Sequence, residues 1–219
     1  EIDAIWAQYG ISHSYDAAGR RISTTDAKGN KTLFYYNVDG QLTQSINALG
    51  EVVEHEYNGL NQRVLTRQYA TRISTAGLTG GIAGSTLLDI LSPLRGSITN
   101  STTTYTYNTT GTLASQADAL GNLTTYAYNA FGQAISSTHQ ATTRTTQYDR
   151  RGLSVSVTED VGGLNLITSL IYDAFGRVTQ STDANGNLRQ QNYDRLGRVV
   201  QTIDPLLHGR SSTYDAFGR

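Results

Sequence analysis

Tyr172-Asp173-Ala174-Phe175-Gly176-Arg177 returns letter for letter as Tyr214-Asp215-Ala216-Phe217-Gly218-Arg219. A hexapeptide that recurs unchanged marks an internal repeat, and finding the repeat comes before any other reading of a fold. Close copies are Tyr193-Asp194-Arg195-Leu196-Gly197-Arg198, Tyr15-Asp16-Ala17-Ala18-Gly19-Arg20, Tyr36-Asn37-Val38-Asp39-Gly40-Gln41 and Tyr128-Asn129-Ala130-Phe131-Gly132-Gln133. Weaker ones are Tyr107-Asn108 with Gly111, Tyr148-Asp149 with Gly152, and Tyr57-Asn58, where Asn61 takes the glycine position. The nine tyrosines are spaced 21, 21, 50, 21, 20, 24, 21 and 21 residues apart, so the period is 21.

A second Asp/Asn-x-x-Gly element falls midway through several periods: Asp26 to Gly29, Asn47 to Gly50, Asp118 to Gly121 and Asp183 to Gly186. Asp or Asn at the first position of a turn bonds the backbone two residues on, and Gly at the fourth accepts a left-handed conformation. Asn61 suits that position because Asn is the side chain that tolerates it next best. Between turns lie runs of about six residues rich in Thr, Tyr, Val and Leu, an ordinary strand length. Each period therefore reads as strand, turn, strand, turn, and the whole as an all-β antiparallel hairpin ribbon. Two residues before the motif tyrosines stand His13, Phe34, His55, Tyr105, Tyr126, Thr146, Leu170, Gln191 and Ser212. One residue before stand Ser14, Tyr35, Glu56, Thr106, Ala127, Gln147, Ile171, Asn192 and Thr213. Neither face is consistently apolar, which predicts a sheet wetted on both sides rather than a sandwich. Some 18 strands at about 4.8 Å span roughly 85 Å, and open sheets of that width curl.

Composition narrows the function classes. Seventeen basic and 18 acidic side chains leave a net charge of −1, without the basic footprint that phosphate backbones or anionic membranes require. No nucleic-acid partner is expected. Charged residues are only 16% and prolines two, which with abundant Tyr, Thr and Val argues against disorder. The absence of cysteine rules out disulfides, thiolate metal sites and thiol nucleophiles. No apolar run reaches the 18 residues of a membrane span, and Glu1-Ile2-Asp3 carries no basic leader. The chain reads as part of something longer.

The repeated Tyr-Asp-x-x-Gly-Arg at a 21-residue period resembles the YD-repeat family: bacterial Rhs (rearrangement hotspot) proteins, the B and C components of insecticidal toxin complexes, bacterial wall-associated proteins and animal teneurins. The resemblance covers nearly the whole chain except part of 69–104. It implies a ribbon spiralling into a hollow shell, which in the bacterial toxins encloses a C-terminal toxic domain and in teneurins belongs to an extracellular adhesion module. The implied partners are the rest of the parent chain, namely further repeats, a core plug and an enclosed toxin domain. The implied location is secreted or on the bacterial cell surface. The family's core region with its aspartyl autoproteolytic site has no counterpart here, so the fragment resembles shell wall without plug or cargo. The runner-up is an extracellular adhesion or glycan-binding module, with a cell-surface protein or glycans as partner. The unprotected edge strands offer a third outcome, self-association of the fragment.

The repeats occupy 1–68 and 105–219, and an insertion of 69–104 separates them. Its stretch Gly77 to Gly84 is glycine-rich and runs into Ser85-Thr86-Leu87-Leu88-Asp89-Ile90-Leu91-Ser92-Pro93. Ser85 is positioned to cap a short helix that Pro93 follows, with Leu87, Leu88, Ile90 and Leu91 on one apolar face packing onto the sheet. No phosphate-loop pattern is present. Calcium needs six to eight oxygens around one ion, whereas Asp16, Asp149, Asp173, Asp194 and Asp215 belong to turns about 10 Å apart. These and Asp26, Asp118 and Asp183 read as turn formers. His13, His55, His139 and His208 lack metal-ligand spacing and a nucleophile partner, so no enzyme activity, metal or cofactor is expected. The tyrosine column has two readings: a carbohydrate-stacking ladder, or rings that span each hairpin and bond a neighbouring backbone. Arg20, Arg177, Arg198 and Arg219 are placed to stack on those rings or pair with the preceding Asp.

Overall fold

The computed structural model describes residues 9–219; residues 1–8 of the first expected repeat segment lie outside the described residues. The protein is all-β and divides into two compact units, one ending at Leu123 and one spanning Thr124–Arg219.

The first unit contains β1 (Ser12–Tyr15), β2 (Arg21–Thr25), β3 (Lys31–Tyr36), β4 (Leu42–Ile46), β5 (Val52–Tyr57), β6 (Arg63–Gln68), β7 (Gly81–Ile82), a helix α1 (Ser85–Leu91), β8 (Ser101–Tyr107) and β9 (Leu113–Ala117). From β1 to β6 each strand pairs antiparallel with the next. β6 then pairs with β8, Leu65 opposite Thr104 and Gln68 opposite Ser101, and β8 with β9. The ribbon thus continues past the insertion as though it were a long turn. The second unit runs β10 (Leu123–Tyr128), β11 (Ala134–His139), β12 (Thr142–Tyr148), β13 (Ser154–Glu159), β14 (Leu166–Tyr172), β15 (Val178–Thr182), β16 (Leu188–Tyr193), β17 (Val199–Ile203) and β18 (Gly209–Ser211). Every neighbour there is antiparallel as well.

A register shift falls immediately before each of the eight motif tyrosines from Tyr15 to Tyr193. At Tyr172 the pairing passes from Ile171–Gln180 to Tyr172–Val178, leaving Thr179 over. Such a bulge bends the strand and increases its twist, so each repeat adds the same local deformation to the ribbon. The 24-residue spacing between Tyr148 and Tyr172 is taken up by a longer β13–β14 loop, where Asp160 and Asn165 hold φ of 54° and 51°.

The two units differ in their interiors. In the second, no side chain is buried, in keeping with a sheet wetted on both sides. In the first, the insertion folds back over one face, correcting that expectation: Leu33 and Tyr35 of β3, Ile46 of β4 and Val52 of β5 are buried beneath Tyr69, Leu78, Leu87 and Leu91. The helix turns Leu87 and Leu91 inward and leaves Ile90 partly buried and Leu88 exposed. Its cap differs from expectation. Gly84 is the N-cap and no side chain bonds there, while Ser85 is already helical. Pro93 does not stop the chain but lies in a 3-10 turn, Ser92–Leu94, that prolongs the helix; Pro is tolerated in a first turn, where its missing N–H has no partner to lose. β7 runs parallel to β3, Gly81 opposite Tyr35. A Cβ on the preceding Gly80 would lie 2.2 Å from the Ile22 carbonyl oxygen, and its φ is +80°, so only glycine permits this approach.

Candidate functional site

The repeat turns concentrate most of the chain's charged side chains. At Asp173 the backbone closes a type I turn with a left-handed fourth residue: Gly176 N–H donates to the Asp173 carbonyl at 3.2 Å and Asp173 N–H to the Arg177 carbonyl at 2.9 Å. Gly176 has φ +79°. The Asp173 Oδ1 accepts the N–H groups of Phe175 and Arg177, at 2.9 and 3.0 Å. Its Oδ2 takes Arg177 Nε and Nη2, both at 2.6 Å. Asp16, Asp194 and Asp215 use both carboxylate oxygens in the same way. Asp149 does so with Arg151 in place of the arginine after the glycine.

Where the motif has Asn, the fifth residue changes with it. Asn37, Asn58 and Asn129 donate Nδ2 to Gln41, Gln62 and Gln133, and Asn108 donates to Thr112. The second set of turns obeys the same rule: Asp26, Asp118 and Asp183 accept from Asn30, Asn122 and Asn187, whereas Asn47 donates to Glu51. A carboxylate has no proton to give and an amide has, so the two positions are complementary. The sequence carries this pairing at a fixed spacing of four residues, and it carries a further turn at Asp204, closed by His208 N–H with Leu207 at φ 65° in the glycine position.

The fifth residue also reaches the following repeat. Arg177 Nη1 donates to the Asp194 carbonyl at 3.1 Å and Arg198 Nη1 to Asp215 at 3.4 Å, and Arg151, from the third position of its turn, does the same to Asp173 at 2.6 Å. Gln62 and Gln133 bridge likewise to the carbonyls of Gly111 and Gly152. The guanidinium of Arg20 lies 5.2 Å from the Tyr36 ring centre, that of Arg177 4.6 Å from Tyr193 and that of Arg198 4.5 Å from Tyr214. Each stacks on the tyrosine of the next repeat, and Arg177 also lies 5.2 Å from the Phe175 ring of its own. The tyrosine hydroxyls point backward. Tyr36, Tyr57, Tyr107, Tyr148, Tyr172, Tyr193 and Tyr214 donate to the carbonyls of Arg21, Leu42, Arg63, Ala134, Ser154, Val178 and Val199, at 2.8 to 3.0 Å. In every case the acceptor lies two residues beyond the previous motif's glycine position. The motif is thus a two-way clamp, arginine or glutamine forward and tyrosine back, whose donors and ring faces engage the chain itself.

The remaining polar cluster lies under the insertion. Glu54 of β5 is 1% exposed and accepts from Gln44 at 3.2 Å, Arg67 at 2.5 Å, the Tyr69 hydroxyl at 2.7 Å and Arg95 at 2.6 Å. Burial pushes its carboxyl up, and hydrogen bonds from Arg95, Tyr69 and Gln44 overcome that and hold it below the usual range. Burial and the adjoining Glu54 push the Tyr69 phenol up to about 12. Arg67 also reaches Glu56 at 3.1 Å. Tyr69 and Arg95 come from the insertion and the others from the sheet, so the cluster pins one to the other. The histidines make local bonds: His13 to Thr24, His55 to Thr66, His139 to Thr124 and His208 to Asp204. Among the described residues no group of three or more His, Asp or Glu could hold a metal ion, and no helix is long and apolar enough to cross a membrane.

Fold and turn geometry define an antiparallel hairpin repeat array. Residues 172–206 match the RHS Repeat family model, and the repeats in the rest of the chain resemble that segment. No curated relative matches its sequence. Among solved structures it is similar to the TcdB2-TccC3-Cdc42 crystal structure, with TM-score 0.59 and 16% identity over 95% of this chain and 12% of that one. It is also similar to TcdB2-TccC3 alone, with TM-score 0.55 and 19% identity over 89% of this chain and 12% of that one. The chain therefore spans about an eighth of the solved chains it matches, and shares their fold.

Proposed function

We propose that this chain is a stretch of wall in a β-shell that encloses and helps deliver a C-terminal toxin domain of a larger secreted bacterial protein, and that it performs no catalysis itself. The ribbon fold shared with TcdB2-TccC3-Cdc42 over 95% of the chain carries the reading. The repeat chemistry supports it, because the motif's carboxylates, guanidiniums and phenols bind one another and the backbone, leaving a scaffold rather than a reacting centre. The partners are then the flanking repeats and the enclosed domain.

Limited proteolysis of the full-length protein tests this. The segment that follows the repeats stays intact under native conditions and becomes cleavable when the wall is opened by denaturant or a cut within the repeats. Cleavage of that segment at the rate of an exposed peptide, with the repeats still folded, defeats enclosure and leaves the extracellular adhesion module as the working reading.

A further inference from the structure

The strand register sorts side chains onto two faces, and in the second unit the faces differ in charge. One face carries the residues one and three before each motif tyrosine, such as Thr145, Gln147, Ser169, Ile171, Gln190 and Asn192, with their cross-strand partners. Followed through every pairing from β10 to β18, this face contains Thr, Ser, Gln, Asn, Ala, Gly, Ile and Leu and no Asp, Glu, Lys or Arg. The opposite face carries the charged strand residues Arg144, Glu159, Arg189 and Arg210. Ile167 and Ile171 of the uncharged face are about half exposed, at 51% and 54%.

In the first unit the corresponding face, which holds Leu33 and Tyr35 before Tyr36, is the one the insertion covers. There Lys31, Glu54, Glu56 and Arg67 do carry charge, and the last three pair with one another and with Arg95 of the insertion. The same repeat face is thus already a surface on which non-repeat polypeptide of this protein lies.

We infer that the face bearing the residues one and three before each motif tyrosine is the lumenal, cargo-facing side of the wall, and that its occupant in the second unit is the enclosed polypeptide. This rests on the enclosure reading above. Hydroxyl and amide side chains exchange hydrogen bonds with a polypeptide and with water at little net difference, about 1 kcal/mol each. Ion pairs in a confined, water-poor space are stronger and selective. An uncharged wall therefore accommodates chain of either charge without fixing it, and the charged face is left to solvent, where Arg144 and Glu159 are each half exposed.

These 219 residues contain no cysteine, so once any cysteines elsewhere in the full-length protein are replaced by serine, single cysteines report one site each. Thr145→Cys and Gln190→Cys place a thiol on the uncharged face; Thr146→Cys and Gln191→Cys place one on the adjacent residue of the same strand, facing the other way. All four positions are half-buried in this chain. In the full-length protein a polyethylene-glycol maleimide labels the first pair roughly tenfold more slowly than the second, because a bulky reagent reaches an enclosed face only through opening of the wall. In the isolated 219-residue chain the two pairs label alike, which also shows that the variants are equally reactive. Slower labelling of Thr146→Cys and Gln191→Cys, with the downstream segment still protected from protease, overturns the face assignment and spares enclosure. Equal labelling of all four in the full-length protein overturns the assignment, and if the downstream segment is then cleaved freely, enclosure falls with it.

Discussion

Arg177 makes four contacts from one side chain: a fork onto Asp173, a bond to the Asp194 carbonyl and stacks on Tyr193 and Phe175. Glutamine at the same motif position keeps the bond to the next repeat, as Gln133 does. Arg177→Gln therefore costs less than Arg177→Ala, the latter about 1 kcal/mol because the site is partly exposed, and the order is read from denaturant unfolding of the purified chain. Gly176→Val is more severe: at φ +79° a side chain costs about 1–2 kcal/mol and a β-branched one more, so an unchanged melting temperature contradicts the turn. Acid acts on the same turns. Backbone N–H groups first, then Arg or His, hold Asp16 and Asp204 below their ordinary 3.8, and the amides of Asn30 and Asn187 chiefly do so for Asp26 and Asp183. A folded pKa below the unfolded one contributes stability that is complete above the unfolded value and lost as pH falls through the folded value. These carboxylates therefore leave the melting temperature unchanged above about pH 5 and lower it below about pH 4, and a midpoint that does not fall between about pH 4 and pH 2 contradicts these bonds.

The insertion is an element held to the sheet by a few large contacts. Glu54→Gln removes the charge that Arg67 and Arg95 share, and breaking so buried a pair costs about 3 kcal/mol. Arg72→Ala, which breaks an exposed pair with Glu51, costs about 0.5 kcal/mol or less. Protease cutting within 69–100 tells the two apart, rising in the first variant and not the second. The elements themselves were largely legible: period, turn positions and strand lengths follow from Asp/Asn-x-x-Gly spacing, since turn chemistry acts within five residues. Docking of the insertion was legible only as an apolar helix face. Glu54 in Val52-Val53-Glu54-His55-Glu56 reads as a solvent-facing polar position, and its partners Tyr69 and Arg95 stand 15 and 41 residues on, beyond any local pattern. The bulge before each tyrosine escaped reading for another reason, being a property of how two strands pair rather than of either strand.

At the scale of the molecule, two units built from one repeat differ in the source of their stability. The first buries Leu33, Ile46, Val52, Leu87 and Leu91 almost completely, each contributing about 1.5–3 kcal/mol by transfer from water. Residues 124–219 bury no side chain and depend on ladder hydrogen bonds and the clamp between neighbouring repeats. In repeat proteins stability is a sum of each repeat and its nearest-neighbour interfaces, so cooperativity is local where no shared core joins the repeats. Hydrogen exchange should then rank the amides of β3, β4 and β5 as the slowest in the chain, with β14 to β17 opening through smaller, lower-energy events. Leu91→Ala sharpens the test. It leaves a cavity under the insertion that costs about 2–5 kcal/mol, which speeds exchange in β3 to β5 and leaves β14 to β17 at their original rates. A single rate change shared by both sets of strands would mean that the ribbon unfolds as one body, and that the clamp between repeats transmits more energy than its hydrogen bonds and ring contacts account for.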